Sequence, residues 1–424
     1  MAFYEIEGGN RLIGSVPVNG AKNSALPIIT AAALAGEGVS VLQNIPSYTD
    51  ILDLVEILNA LGARAEFTGP NTLEVDGSGL SAHVAPYERA ARLRGSTYIV
   101  GLLLARLGQA EVAVPGGCDI GARPVDFHLR GFQALGARAW VEHGAILAEA
   151  PGGLTGSRFY VDRKSFGTTC NLMIAASISF GTTILEDAAQ EPEIVDLANF
   201  LNAMGGRVRG AGTDVIRVEG AQSLHGAVHE VIPDRLEAGT FLLAGAATGG
   251  RVSVGPIIPE HLRTLVVKLE EAGAHVEVEE DSITVDAPAR LKAIDVQTQP
   301  HPGFPTDLQP QLVAALCQAE GVSVVEETIF DNRFGYANEL VRLGAQIKIE
   351  RNTALVRGTN VLTGAPLVAR DIRGGAALVI AGLSAQGRTE VDGVRHVARG
   401  YERLPQKLTA LGAEIRVVEG EPAN

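Results

Sequence analysis

Residues 114–128 read VPGGCDIGARPVDFH and set a single cysteine among glycines. Cys118 follows a strand-like run, AEVAV, and precedes a helix opening at Arg123, with Gly116, Gly117 and Gly121 around it. A thiol in such a loop is exposed, and neighbouring cations lower its pKa, so it could serve as a proton donor or a nucleophile. An inert loop cysteine would look the same, and these residues alone leave the two readings even. Cys170 and Cys317 lie inside TTCNLMIAAS and LVAALCQAE, apolar helical runs in which a small buried side chain is expected.

Charged residues at helix starts form a second reactive set. Lys22 in GAKNSALP, Arg94 in RLRGST, Lys164 in DRKSFGTT, Arg235 in PDRLEAGTF, Asp307 in PTDLQPQ and Arg373 in DIRGGAAL each introduce a small-residue apolar run, and five of the six are basic. A second group of helices opens near Thr49, Arg123, Glu193, Glu260, Arg333 and Arg399, which adds three arginines. Helix N-termini already offer free N–H groups and a partial positive charge, so cations stacked there lose stability unless an anion sits between them. Any one of these positions could be a solvated boundary. Their recurrence in register predicts that many of the N-termini converge on one cleft between domains, built for a ligand with several negative charges. Asp307 also reads as an ordinary N-cap after Thr306, and Asp234 could equally be a cap.

The elements that position these residues come from an internal repeat. A helix ending in Gly-Ala or Gly-Gly, followed by an alternating strand, recurs as LGARAEF, LGARAWV, MGGRVRG, AGAHVEV, LGAQIKI and LGAEIRV. The glycines are Gly62, Gly136, Gly205, Gly273, Gly344 and Gly412, and each reads as a left-handed helix C-cap. Runs such as AAALAGEGVSVL and AGAATGGRVSV recur at the same period and predict a helix buried on all sides. Runs such as ILDLVEILNALGA predict an amphipathic, half-exposed partner. Six α/β units sharing two cores give two domains of three units.

Composition sets the outer bounds. The 424 residues exceed the roughly 250–300 at which single cores stop growing. With 46% apolar and 20% charged residues the chain reads as globular. A formal charge of −14 without a Lys/Arg run lacks the footprint of a nucleic-acid binder. Three cysteines without C-x-x-C spacing argue against a disulfide framework or a thiolate metal site. The start of the chain shows no signal-like apolar region, and the most apolar run, residues 97–105, is about half the ~20 residues a bilayer requires. A cytoplasmic protein is expected, with neither nucleic acid, membrane nor metal as partner and with no cofactor.

The stretch PGGCDIGARPVD resembles the active-site loop of the UDP-N-acetylglucosamine enolpyruvyl transferases. The likeness runs in order through NGAKNSALPI, RGSTY, EPEIVDLANFL, PDRLEAGTF, HPGFPTDLQPQ, DNRF and RGYERL, and covers nearly the whole chain. It implies a two-domain inverse α/β barrel of six βαβαββ-type repeats, three per domain. One domain would span residues 22–232, and the other would combine 1–21 with 233–424. The implied reaction adds a sugar 3′-hydroxyl to C2 of phosphoenolpyruvate, protonates C3 and expels phosphate.

By the same resemblance Lys22, Asn23, Arg123, Arg373 and Arg399 match ligands of phosphoenolpyruvate, and Cys118 matches a proton donor that also forms a covalent adduct. Asp307 matches the group that takes the hydroxyl proton. Asn23, Arg94, the run Arg123, Pro124, Val125, Asp126 and Phe127, the run Arg163, Lys164, Ser165, Phe166 and Gly167, and Asp307, Ile329 and Arg333 match contacts of the sugar nucleotide. Phe127 and Phe166 are bulkier than the aliphatic residues expected there. Two rivals remain: a 5-enolpyruvylshikimate-3-phosphate synthase, which lacks the PGGC loop, and a non-catalytic sugar-nucleotide binder, expected to lose Lys22, Cys118 or Asp307.

Overall fold

The computed structural model describes residues 2–116 and 125–420. Two compact units divide them, one made of residues 20–116 and 125–232, the other of 2–19 and 233–420. Each has its own hydrophobic core.

In the first unit the helices Lys22–Ala32, Thr97–Leu107 and Phe166–Ala176 pack on one another. Their Ala, Leu, Ile and Thr side chains suit burial on every face, and Asn23 is the single residue of Lys22–Ala32 that is not buried. Gly101 makes the closest approach possible, because a Cβ there would collide with the side-chain oxygen and carbonyl of Asn171 on the neighbouring helix. The second unit repeats the plan with Arg235–Ala247, Gln309–Leu316 and Ile372–Ser384. Amphipathic helices such as Thr49–Ala60 and Pro192–Ala203 bury one face and leave the other half exposed, as their spacing predicts.

Six separate open sheets lie against these helices, five of four strands and one of three. The barrel implied by the family resemblance is therefore an arrangement of open sheets about buried helices. In each four-stranded sheet an antiparallel trio is completed by one parallel strand. For the three-stranded sheet of Gln109–Ala113, Ala145–Glu149 and Arg138–Glu142, that fourth strand shrinks to a parallel bridge between Val84 and Glu111. The completing strand can be distant in sequence. Val228–Glu230 joins Ser40–Gln43, and Ile13–Pro17 joins Arg251–Gly255. Ala2–Gly8 lies between Gly387–Asp392 and Glu414–Glu419, which explains why the first nineteen residues belong with the unit built from the second half of the chain.

The six repeat glycines all have φ between 88° and 99°, the left-handed conformation that ends each amphipathic helix. Helix starts differ in detail from the sequence expectation. Arg94, Lys164 and Asp307 sit in short 3-10 turns, Arg94–Ser96, Asp162–Lys164 and Thr306–Leu308, ahead of the buried helices. Arg333 and Arg399 lie in turns before Ala337–Arg342 and Leu404–Ala410, so neither occupies a helix N-terminus. Among the described residues no helix is long and apolar enough to cross a membrane.

Candidate active site

In PTDLQPQ the prolines at 305 and 310 flank the 3-10 turn Thr306–Leu308, which leads into the buried helix Gln309–Leu316. The turn leaves the Asp307 carboxylate free of capping duty. One of its oxygens accepts from Arg333 Nη2 at 2.9 Å, and the other accepts from Arg373 Nε at 3.3 Å. Both guanidinium side chains are almost wholly buried, 2% and 5% exposed, against 28% for the carboxylate. Asp307 is thus the shared counterion of two buried arginines, and this replaces its reading as an N-cap. Asp234 does cap, accepting from the N–H groups of Leu236 and Glu237 at 2.8 and 3.1 Å.

Arg373 is aimed by its own helix start, where Asp371 caps Ile372–Ser384 by accepting from the N–H groups of Arg373 and Gly374, each at 3.0 Å. Burial works against its charge, but Tyr401, Asp307 and Asp234 together raise its pKa above the ordinary arginine value, so it stays cationic. Arg333 also donates to Thr306 O at 3.3 Å and lies 5.7 Å from the ring centre of Phe330, in a loop organised around Glu327. That carboxylate is 1% exposed and accepts from Thr298 Oγ1 and Thr306 Oγ1, both at 2.9 Å, and from the N–H groups of Ile329 and Phe330 at 2.8 and 3.2 Å. The same bonds present Ile329 at the surface, 37% exposed. Arg399 is partly exposed in its turn.

The other unit carries its own polar groups. Lys22 opens its helix and pairs through Nζ with Asp50 at 3.2 Å, both side chains below 10% exposed. Asn23 and Arg94 are half-buried. Arg163 and Lys164 take consecutive left-handed conformations, φ 62° and 42°, and Lys164 pairs with Asp187 at 3.3 Å. For L-residues such backbone costs roughly 1–2 kcal/mol each and is concentrated at functional sites. Ser165 then caps Phe166–Ala176 through Thr168 N, leaving Phe166 and Gly167 partly open at the helix head. Asp126 and Phe127 begin the helix Asp126–Ala134 just after Val125, and the Arg130 guanidinium lies 4.9 Å from the Phe127 ring centre. Cys118, Arg123 and Pro124 lie outside the described residues.

His128 is buried beside the head of that capped helix. Asn171 accepts from Gly101 N at 3.1 Å and donates through Nδ2 to Thr97 O at 2.7 Å, which fixes its orientation. The second Nδ2 proton therefore meets His128 Nδ1 at 3.0 Å, and the neutral imidazole carries its own proton on Nε2. Burial drives the His128 pKa from 6.5 down to about 4, with Asp126 opposing weakly. The unfolded chain takes up this proton below about pH 6.5, whereas the folded chain waits until about 4. Stability is therefore complete above that window and falls as the pH drops through it. Urea unfolding should show wild type losing about 2 kcal/mol more than His128→Asn between about pH 7.5 and pH 5. Equal losses would refute the assignment.

The other two cysteines behave as their sequence context predicts. Burial pushes the Cys317 thiol up to about 12 and Cys170 well above the ordinary value. Folded protein treated with iodoacetamide at neutral pH should carry no label at either position, and both should label once urea is added. Labelling of Cys170 or Cys317 without denaturant would contradict their placement.

A family model described as EPSP synthase (3-phosphoshikimate 1-carboxyvinyltransferase) matches residues 6–408. The chain belongs to this family. Among curated relatives, UDP-N-acetylglucosamine 1-carboxyvinyltransferase 2 of Symbiobacterium thermophilum is 61% identical over 98% of both chains. The UDP-N-acetylglucosamine 1-carboxyvinyltransferase of Halothermothrix orenii is 49% identical over 99% of this chain and all of its own. The crystal structure of the enolpyruvyl transferase NikO from Streptomyces tendae superposes with a TM-score of 0.88 at 27% identity, covering 98% of each chain. An EPSP synthase from Acinetobacter baumannii gives 0.76 at 19% identity over 99% of this chain, a likeness of fold alone.

Within this family member, Asp50, Glu327 and Asp371 were not singled out from sequence. Asp371 could have been found, because an aspartate two residues before a basic helix start is a capping signal. Asp50 and Glu327 acquire their partners only through folding.

Proposed function

We propose that the protein transfers the enolpyruvyl group of phosphoenolpyruvate to the 3′-hydroxyl of UDP-N-acetylglucosamine and releases phosphate, the first committed step of peptidoglycan-precursor synthesis in the cytoplasm. What carries this reading is the 61% identity, spanning 98% of both chains, to a relative named for that activity. The PGGC loop of residues 115–118, which 5-enolpyruvylshikimate-3-phosphate synthases lack, supports it over that alternative.

The chemistry assigns work to residues by charge. Addition forms a bond from the sugar oxygen to C2 while C3 gains a proton; elimination then returns the C3 proton and breaks the bond to phosphate. Asp307 would accept the hydroxyl proton, and Cys118 would donate to C3 or form the adduct. Lys22, Asn23, Arg123, Arg373 and Arg399 would hold the phosphate and carboxylate of phosphoenolpyruvate and balance its shifting charge. Asn23, Arg94, residues 123–127 and 163–167, Asp307, Ile329 and Arg333 would hold the sugar nucleotide, with its diphosphate at the Ser165-capped helix head. The domain carrying Cys118 is taken to span residues 22–232.

Phosphate release from phosphoenolpyruvate tests the reading. Release should require UDP-N-acetylglucosamine and should not occur with shikimate 3-phosphate. The reverse dependence would transfer the chain to the rival activity, and release with neither acceptor would remove the reading altogether.

A further inference from the structure

Tyr401 belongs to RGYERL and is 2% exposed, yet the reaction scheme gives it no task. Its hydroxyl has three polar neighbours in the same unit: Thr240 Oγ1 at 2.9 Å, Arg373 Nη1 at 3.0 Å and Gln311 Nε2 at 3.1 Å. Proton counting fixes the direction of each bond. Thr240 Oγ1 lies 2.7 Å from Leu236 O, which can only accept, so the threonine proton is spent there. Thr240 must then accept from Tyr401, which uses the one proton of the phenol. The Tyr401 oxygen is left as a pure acceptor facing Arg373 and Gln311.

Gln311 Nε2 also faces Asp307 O at 3.0 Å and Thr240 Oγ1 at 3.2 Å, so its two protons are shared among three acceptors, and the same amide steadies the backbone that carries the carboxylate. Arg373 is gripped at two points, through Nη1 by the phenol oxygen and through Nε by Asp307, and its guanidinium carbon lies 5.3 Å from the Tyr401 ring centre. Gly400 lets this happen, since a Cβ there would run into the Ile372 side chain at the start of the helix that bears Arg373.

We propose that Tyr401 is a positioning residue: backed by Thr240 and Leu236 O, its hydroxyl acts as an obligate acceptor that sets the orientation of the Arg373 guanidinium toward Asp307 and the substrate. Without it the guanidinium keeps its charge but loses the second of two fixed points, and a displacement of ~1 Å is enough to cost roughly a hundredfold in rate. The hydroxyl itself touches no substrate in this scheme. The proposal rests on the reading of Asp307 and Arg373 as members of the reacting site.

The test is Tyr401→Phe, which keeps the ring and removes the acceptor. The expected result is a fall in kcat of roughly ten- to a hundredfold with KM for UDP-N-acetylglucosamine within about twofold, because the lesion is in orientation and not in nucleotide binding. In an Arg373→Lys background the same change should cost less than about twofold, since no guanidinium remains to be aimed. Thr240→Val, which strips the backing and frees the phenol proton to rotate, should give an intermediate loss if Tyr401→Phe fails to fold. Equal losses of kcat from Tyr401→Phe in both backgrounds would overturn the proposal, as would a wild-type kcat in Tyr401→Phe. If wild-type protein releases no phosphate with either acceptor, the reading of function fails separately. Coupling of Tyr401→Phe to Arg373→Lys in urea unfolding then decides the contact alone, and strictly additive effects reject it.

Discussion

Replacing Asp307 by Asn should reduce kcat by roughly 10²–10⁴-fold, the range for loss of a positioned proton acceptor. The amide matches the carboxylate in shape, so the turn Thr306–Leu308 and its bonds to Gln311 and Glu327 can persist. What vanishes is the ability to take a proton and the negative charge between Arg333 and Arg373. Both guanidiniums are nearly sealed from water, and removing the partner of a buried charge costs about 3–5 kcal/mol. Asp307 is partly open to solvent, so the lower end of that range is expected. Two readouts are therefore predicted to move together, turnover in a phosphate-release assay and the midpoint of urea unfolding. An Asp307→Asn protein with undiminished turnover would exclude this carboxylate as the acceptor, whatever its stability.

Asn171→Ala should destabilise the other unit by about 3 kcal/mol, an effect of packing polarity and not of chemistry. The Asn171 amide lies against Gly101 N and Thr97 O, the two atoms that an uninterrupted i→i−4 ladder pairs with each other, and it also supplies His128 Nδ1. Its side chain is fully buried, so none of these groups finds water when it is truncated. Gly101→Ala should be destabilising too, because its new methyl meets the Asn171 oxygen. The two costs should add to less than their sum, since truncating Asn171 removes the closer collision, with its side-chain oxygen, and leaves only that with its backbone carbonyl. Chemical denaturation of the two single variants and the double variant measures this, and simple additivity would show that the glycine and the amide are not matched.

The repeat was legible because it rests on local chemistry. A left-handed glycine after each amphipathic helix and an alternating strand beyond it need only neighbouring residues to form, and all six glycines adopt the expected backbone. The buried helices were legible for the same reason. The missing strand of the second repeat was not, because the reduction to a single bridge at Val84 depends on pairing with Glu111 across the sheet. The cations at the helix starts were visible as residue types, but their partners were not. Arg333 and Arg373 reach Asp307 from 26 and 66 positions away, and nothing local distinguishes Asp307 from a cap until those side chains are placed. Lys22 is similar, since Asp50 reads as an ordinary first-turn acid until the helix packs it against the lysine.

The strand Ala2–Gly8 sits in the interior of its sheet, with Ala2 opposite Glu419. During synthesis on the ribosome this strand emerges well ahead of both neighbours and cannot gain them until residues 387–419 are released. The unit of residues 20–116 and 125–232 can close while translation continues, whereas its companion must keep Ile13–Pro17 unpaired until Arg251–Gly255 is made and Ala2–Gly8 unpaired until residues 387–419 are made. Loss of residues 2–8 would thus injure the unit built from residues 233–420, and not the one that follows them directly in the chain.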